Sequence, residues 1–388
     1  MFSYHMPTRI QFGVGEAENL PQYLNEMGVK RLLLVTDPGV LKAGLVSPIV
    51  EHLQQSGILL EVFDQVAQNP RDTDCLQGAR AFTAFDAAAV LAIGGGSAID
   101  TAKTIALLAK SGGTASEYAD GLLPYHAIAP IVCLPTTAGT GSEVTRSAVI
   151  TESSTHRKMT LKHANMRPSL AVLDPLLTLS VPRSVTAATG VDALVHAIEG
   201  YTCTVTNPLS KAYGAQAMPT IIQALPRAVE DGQDLEARTQ MLEGSLLAGL
   251  SFGNADVAAV HCLAEALGSV YDAPHGVANA IFLPHVLRFN AEGHSALHAE
   301  LARIMHFASD TDSNETAVQK MIEGIFAYTQ ELRIPLLRDL PNVAPKDFDH
   351  LVELAYANGS TPSNVRAISK SDYRTILETT FAYEGSKG

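Results

Sequence analysis

The sequence has no tryptophan, only four cysteines, and few basic residues: 27 Lys and Arg stand against 40 Asp and Glu, a formal charge of −13. The missing tryptophan carries no functional message. Cys75, Cys133, Cys203 and Cys262 are scattered without CxxC spacing. They suit a reducing compartment and read as small buried hydrophobes. An acidic surface repels phosphate backbones, and no Lys/Arg cluster reverses the field locally, so nucleic acid is not an expected partner. Long apolar runs are also lacking. AAAVLAIGGG and AIAPIVCLP are too short to span a bilayer and are broken by Gly or Pro, so no membrane helix is expected. The opening MFSYHMPTRIQFG has no basic region followed by an apolar stretch, so it does not read as a secretory signal, and the expected location is cytoplasmic. There is no G-x-S-x-G nucleophile motif and no fixed-period repeat.

What is present describes a soluble chain with a large core: 388 residues, 46% hydrophobic and 17% charged, a size that fits two domains. The first half alternates short apolar runs with helical stretches. RLLLVTD (Arg31 to Asp37), ILLEVFD, AAAVLAIGGG, IAPIVCLPTT and SLAVLDP (Ser169 to Pro175) read as strands, with PIVEHLQQSG and DTDCLQGARAFTAF as helices between them. That pattern predicts a Rossmann-like parallel sheet covered by helices. From about Leu176 the apolar spacing turns helical and stays so. The expected division is therefore an α/β domain over residues 1–175 and an all-helical domain over 176–388.

Directly after the strand AAAVLAI come Gly94, Gly95, Gly96 and Ser97, followed by the helical stretch AIDTAKTIALLAK. Glycines there let the backbone approach a phosphate, and the free amides of the helix start favour a negative ligand. The spacing is not GxGxxG, and a tight turn would also use glycine. A second loop, Pro135-Thr136-Thr137-Ala138-Gly139-Thr140-Gly141-Ser142-Glu143, offers hydroxyls for ribose or phosphate oxygens. Asp37 ends the first strand, where a carboxylate can bind ribose hydroxyls and repel a 2′-phosphate, which points to NAD over NADP. The same Asp-Pro pair is also an ordinary turn former.

Asp192 and His196, in GVDALVHAIEGY, are four apart on a predicted helix and share a face. His261 begins another helical run and His275 lies beyond it. Three imidazoles and one carboxylate make a plausible site for Fe²⁺ or Zn²⁺ with a position open to substrate. Among 13 histidines, i, i+4 pairs also arise by chance, so the spacing alone leaves the site open.

Taken together, GGGSAIDTAK, LPTTAGTGSE, ATGVDALVHAIEGY and APHGVANAIFLPHVLRFN resemble the iron-containing (group III) alcohol dehydrogenases, in the family's order and over about residues 5 to 385. The resemblance implies a dehydroquinate synthase-like fold: a nucleotide-binding α/β domain, an all-helical domain, and a catalytic divalent metal in the cleft between them. It implies Asp192, His196, His261 and His275 as the metal ligands and catalytic centre. It also implies Asp37, Gly94, Gly95, Gly96, Ser97, Thr136, Thr137 and Thr140 as the cofactor set, with Asn69 and Lys158 as additions. The activity implied is NAD-dependent interconversion of a small primary alcohol or diol and its aldehyde. The segment PTRIQFG resembles the edge strand that family members use near a dimer contact, so a homodimer or larger homo-oligomer is expected.

The chain departs from the family at one position. Where most members read H-x-x-x-H, this sequence has His261-Cys-Leu-Ala-Glu265. A carboxylate on the His261 face has three readings: a proton relay, an added ligand, or a group that favours cationic or polyhydroxyl substrates over anionic ones. Drift at a dispensable position is the plain alternative. His285, in LPHVLRFN, reads as a packing histidine. Two other activities stay open at this point: a glycerol-dehydrogenase-like or dehydroquinate-synthase-like enzyme, and a weakly active NAD-binding pseudoenzyme.

Overall fold

A computed structural model describes residues 1–385. They form two compact units, one spanning His5–Val181 and the other joining Met1–Tyr4 to the chain from Pro182 onward.

The first unit is built on a parallel sheet. Its strands are β1 (Arg9–Phe12), β2 (Arg31–Val35), β3 (Leu59–Phe63), β4 (Ala89–Gly94), β5 (Ile131–Pro135) and, after an antiparallel pair β6 (Ser147–Thr151) and β7 (Lys158–Lys162), β8 (Leu170–Leu173). The order across the sheet is β1-β8-β5-β4-β2-β3, with every neighbouring pair parallel. Helices α1 (Leu20–Glu26), α2 (Pro38–Lys42), α3 (Val46–Gln55), α4 (Asp72–Ala84), α5 (Gly96–Ser111) and α6 (Ala115–Ala119) fill the connections.

The unbroken apolar run of β2 follows from burial on both faces. Leu32 and Leu34 pack with Leu20, Leu24 and Leu53 from α1 and α3. Leu33 and Val35 pack on the opposite face with Phe82, Ile99 and Ile105 from α4 and α5. Each such leucine contributes about 2 kcal/mol of burial free energy. From β2 the chain crosses to β3 on one side, whereas β4 lies on the other side of β2. The strand order reverses between β2 and β4, and in open α/β sheets the crevice beyond the carboxyl ends of two such strands takes the ligand. Asp37 and Gly94 lie there.

The hairpin β6–β7 is a feature that the sequence reading does not contain. Ala148, Ile150, Met159 and Leu161 form its buried side, packing with Cys75, Leu107 and Tyr118. On β7 the outer positions carry Lys158, Thr160 and Lys162 and leave two apolar residues in alternation, and β6 adds only the short run Ala148 to Ile150, a weak signal in a single sequence.

The first unit continues past Pro175. Asp174 accepts hydrogen bonds from the backbone N–H groups of Gly15, Ala17 and Leu176, at 3.0, 3.1 and 3.0 Å. Leu177 packs into the sheet core. Met1–Tyr4 go with the second unit because the Tyr4 hydroxyl donates to the Leu250 carbonyl at 3.1 Å and the Tyr4 ring stacks on Tyr213.

The second unit is helical: α7 (Arg183–Thr202), α8 (Pro208–Glu230), α9 (Leu235–Phe252), α10 (Ala259–Tyr271), α11 (His275–Gly293), α12 (Ser295–Ile304), α13 (Asn314–Glu331), α14 (Phe348–Ala357) and α15 (Lys370–Ala382). Asn207 starts α8 by accepting from the N–H groups of Leu209 and Ser210, and the helix then continues through Pro219 and Pro226. Every residue of α7 from Gly190 to Thr202 is buried, the signature of a central helix. Any polar side chain on that stretch must find its partners inside the protein. Among the described residues, no helix is long and apolar enough to cross a membrane.

Candidate functional site

Asp192 and His196 project from the buried helix α7, His261 from the first turn of α10, and His275 from the first position of α11. Each offers one donor atom, and the four atoms lie within 4.8 Å of one another. His196 Nδ1 is 3.9 Å from Asp192 Oδ2, while His261 Nε2 and His275 Nε2 are 3.8 and 3.7 Å from Asp192 Oδ1. The Nε2 atoms of His261 and His196 are 3.0 Å apart. Ligands ~2.1 Å from a common cation at tetrahedral angles stand roughly 3.4 Å apart. The observed separations bracket that distance, so this donor set fits a divalent cation. Asp192, His196 and His261 are buried, whereas the His275 side chain is 39% exposed. The group is therefore closed on the α7 side and open beside His275.

A close approach of two helices brings His275 in. A Cβ on Gly276 would stand 2.7 Å from the carbonyl oxygen of Ala188 in α7. Only glycine lets the start of α11 press that near to the α7 backbone, one turn before Asp192.

Burial opposes ionisation of Asp192, but the imidazoles of His196, His275 and His261 outweigh it and hold the carboxyl below its ordinary range. Burial likewise opposes a charged His261, and the carboxylates of Glu199, Asp192 and Glu265 outweigh it, raising the ring's pKa.

Three neighbours of this group are absent from the sequence reading. Glu199 accepts from His261 Nδ1 at 2.6 Å. Asn279 donates to Asp192 Oδ1 at 2.6 Å and its amide nitrogen lies 3.1 Å from His275 Nε2. Phe252 stacks on the His196 ring at 4.2 Å. For two of them the spacing is a usable signal: Glu199 is three residues after His196, and Asn279 is four after His275.

Glu265 stands one turn after His261 and outside the four-donor group. Its Oε2 accepts from the side-chain amide of Asn358 at 2.7 Å. His285 is buried edge-on against Phe326 and Tyr383, and burial brings its pKa down to about 4. All four cysteines are free and buried.

In the α/β unit, the structure brings the two small-residue loops together. A Cβ on Gly96 would stand 2.6 Å from Thr140 Cγ2, and one on Gly95 would stand 3.1 Å from Thr137 Oγ1. Thr136 is buried and its N–H donates to the Gly94 carbonyl at 3.0 Å. Ser97 Oγ donates to the Gln68 carbonyl at 2.5 Å, which sets Asn69 beside the glycine turn. Lys158 Nζ donates to Asn69 Oδ1 at 2.7 Å and to Thr151 Oγ1 at 2.9 Å. Asp37 Oδ1 caps α2, accepting from the N–H groups of Gly39 and Val40 at 2.8 and 3.0 Å. Its Oδ2 faces Gly94, where a Cβ would meet it at 3.3 Å. The turn-forming contacts therefore use Oδ1, and Oδ2 is the oxygen on the side of Gly94.

A buried cluster fastens these loops. Lys103 Nζ donates to Ser142 Oγ, Thr145 Oγ1 and the Ser147 carbonyl at 2.8, 3.1 and 2.7 Å. Asp100 accepts from Ser142 Oγ at 2.6 Å and from the Val149 N–H at 2.8 Å. The helix that begins at the glycine turn is thereby tied to the second loop and to the hairpin. Preorganisation of this kind lowers the ordering cost of binding a ligand.

Comparison with known proteins identifies the family. The family description "Iron-containing alcohol dehydrogenase" matches residues 7–175, and "Fe-containing alcohol dehydrogenase family, C-terminal" matches residues 186–381. The chain is 38% identical to a 1,3-propanediol dehydrogenase of Citrobacter freundii, over 98% of this chain and 99% of that protein. A crystal structure of 1,3-propanediol oxidoreductase superposes with a TM-score of 0.94 at 37% identity, covering 98% of this chain and 100% of the other. Sulfoacetaldehyde reductase from Bifidobacterium kashiwanohense, solved in complex with NAD⁺, gives 0.90 at 28% identity over 99% and 100% of the two chains. With both halves matched and the two-part fold shared, the chain belongs to the iron-containing alcohol dehydrogenase family and is an oxidoreductase.

Proposed function

We propose that this protein interconverts a small primary alcohol or diol and its aldehyde, using NAD and a divalent metal, Fe²⁺ in the first instance with Zn²⁺ as the alternative. The observation that carries this reading is the group of Asp192, His196, His261 and His275, three imidazoles and a carboxylate within 4.8 Å of one another. When bound, the cation supplies Lewis acidity toward an alcohol oxygen and NAD supplies the hydride acceptor. The protein's own part is to bind, orient and exclude water. Asp192, His196 and His261 hold the metal from the buried side, and His275 completes the set at the open side. Phe252 shields the His196 ring from water.

In the α/β unit, Gly94, Gly95, Gly96 and Ser97 offer the start of α5 to the pyrophosphate, where backbone amides and the helix dipole favour negative charge. Thr136, Thr137 and Thr140 supply hydroxyls from the facing loop, and Asn69 and Lys158 complete the polar wall. Asp37 Oδ2 receives ribose hydroxyls and sets NAD above NADP. Glu265, fixed by Asn358, favours a second hydroxyl or a cationic group on the substrate over an anionic one. The unpaired outer edge of β1, which among the described residues pairs only with β8, supports a homodimer, and the protein works in the cytoplasm.

The complete four-donor set favours a working dehydrogenase over a pseudoenzyme, which has no need to keep it. His196→Ala tests the reading. The variant should lose both metal retention and turnover, measured by elemental analysis after dialysis and by NADH formation. An active, metal-free H196A protein would remove the scheme.

A further inference from the structure

Glu199 is 3% exposed and is surrounded by hydrogen-bond donors. Its Oε2 accepts from the Ala258 N–H at 2.7 Å and meets His261 Nδ1 at 2.6 Å, and its Oε1 accepts from the Val260 N–H at 2.8 Å. The two backbone groups belong to Ala258, which precedes α10, and to Val260, the second residue of α10, where N–H groups have no partner within the helix. One carboxylate from α7 therefore caps α10 and touches the ring of the residue that α10 carries two positions after Ala259.

We infer that Glu199 is a positioning residue of the metal centre, which fixes His261 as the Nδ1–H tautomer so that its Nε2 lone pair faces Asp192, His196 and His275. This inference rests on the metal reading proposed above. The argument is one of donors and acceptors. A carboxylate can only accept, and a backbone N–H can only donate. Both Glu199 oxygens already accept a backbone N–H, so the third contact calls for a hydrogen on Nδ1. A neutral imidazole has one N–H, which leaves the lone pair on Nε2. Nε2 is the atom 3.0 Å from His196 Nε2 and 3.8 Å from Asp192 Oδ1, inside the donor group. A carboxylate behind a ligating imidazole also makes the ring a stronger donor to metal.

Glu199→Gln keeps the shape and removes one acceptor. Its NH₂ must face either the Val260 N–H or, at the other position, both the Ala258 N–H and His261 Nδ1. The second choice moves the ring hydrogen to Nε2 and blocks the lone pair, and the first leaves only a neutral acceptor behind the ring, which makes it a weaker donor to metal. The test uses full-length enzyme and Zn²⁺, with affinity measured by competition against a chromophoric chelator. E199Q should bind Zn²⁺ about 10–100-fold more weakly, while its metal-free circular dichroism stays close to that of the parent and its Tm falls by a few degrees for the lost cap acceptor. Equal affinity in E199Q and parent overturns the inference and leaves the metal reading intact. A parent that binds no Zn²⁺ overturns both. If E199Q does not fold, ¹⁵N-histidine NMR of the metal-free parent decides, with the His261 signal assigned by His261→Asn. A protonated Nδ1 supports the inference, and a protonated Nε2 overturns it.

Discussion

Asn279 donates its amide to Asp192 Oδ1 at 2.6 Å, while its own carbonyl oxygen, fully buried, accepts no hydrogen bond among the described residues. A buried acceptor left in that state costs free energy, so the residue is held here by what its amide does. It holds Asp192 Oδ1, the oxygen that stands 3.8 and 3.7 Å from His261 Nε2 and His275 Nε2. Asn279→Ala should weaken metal binding about tenfold and destabilise the metal-free protein by about 2 kcal/mol. Chelator competition and chemical denaturation measure the two effects, and an unchanged affinity would remove Asn279 from the site.

Asp37 caps α2 through Oδ1, and the proposed ribose contact uses Oδ2, so the two can be separated. Serine caps a helix about as well as aspartate, so Asp37→Ser keeps the start of α2 and removes the charge facing Gly94. The ratio of kcat/KM for NAD to that for NADP should fall about tenfold, or ~1.4 kcal/mol, with Tm nearly constant. An unchanged ratio with unchanged Tm would restrict Asp37 to capping.

For the proposed substrate contact the residue to test is Glu265. If its carboxylate receives a second hydroxyl, Glu265→Gln should lower kcat/KM for 1,3-propanediol several-fold more than for 1-propanol. An equal loss on both substrates would assign Glu265 to the packing of α10 against Asn358.

Glu143, in the second loop, is 2% exposed. Burial, partly offset by the charge of Lys103, raises its pKa to about 7. Between its ordinary value near 4.5 and about 7, the folded protein holds a proton that the unfolded chain has lost. The stability from this group is therefore present at low pH and declines as pH rises through that window. Glu143→Gln should flatten the decline, giving a Tm a few degrees above the parent at pH 8 and little difference at pH 5. A parallel pair of Tm curves from pH 5 to 8 would show that Glu143 stays ionised.

Much of the site was legible because its chemistry is local in sequence. Asp192 and His196 share one helical face, and Gly94 to Ser97 sit where a strand turns into a helix. Spacing could have marked Glu199 and Asn279 as neighbours, but which residue each partner holds was not legible, because contact defines it. Glu199 is three residues from His196, yet the ring it holds is 62 residues away. Asn358 lies 93 residues from Glu265. The helices from Pro208 to Phe252 were readable even across Pro219 and Pro226, since apolar spacing over long segments outweighs single residues. The hairpin at Ser147–Lys162 was not, since two five-residue strands give little signal.

The most direct test strips the enzyme with chelator, restores Fe²⁺ anaerobically or Zn²⁺, and follows NADH formation across short primary alcohols and diols. The account predicts no turnover in the stripped protein and recovery with metal and NAD together. Full activity without metal, or tight NAD binding with no turnover under either metal, would contradict it.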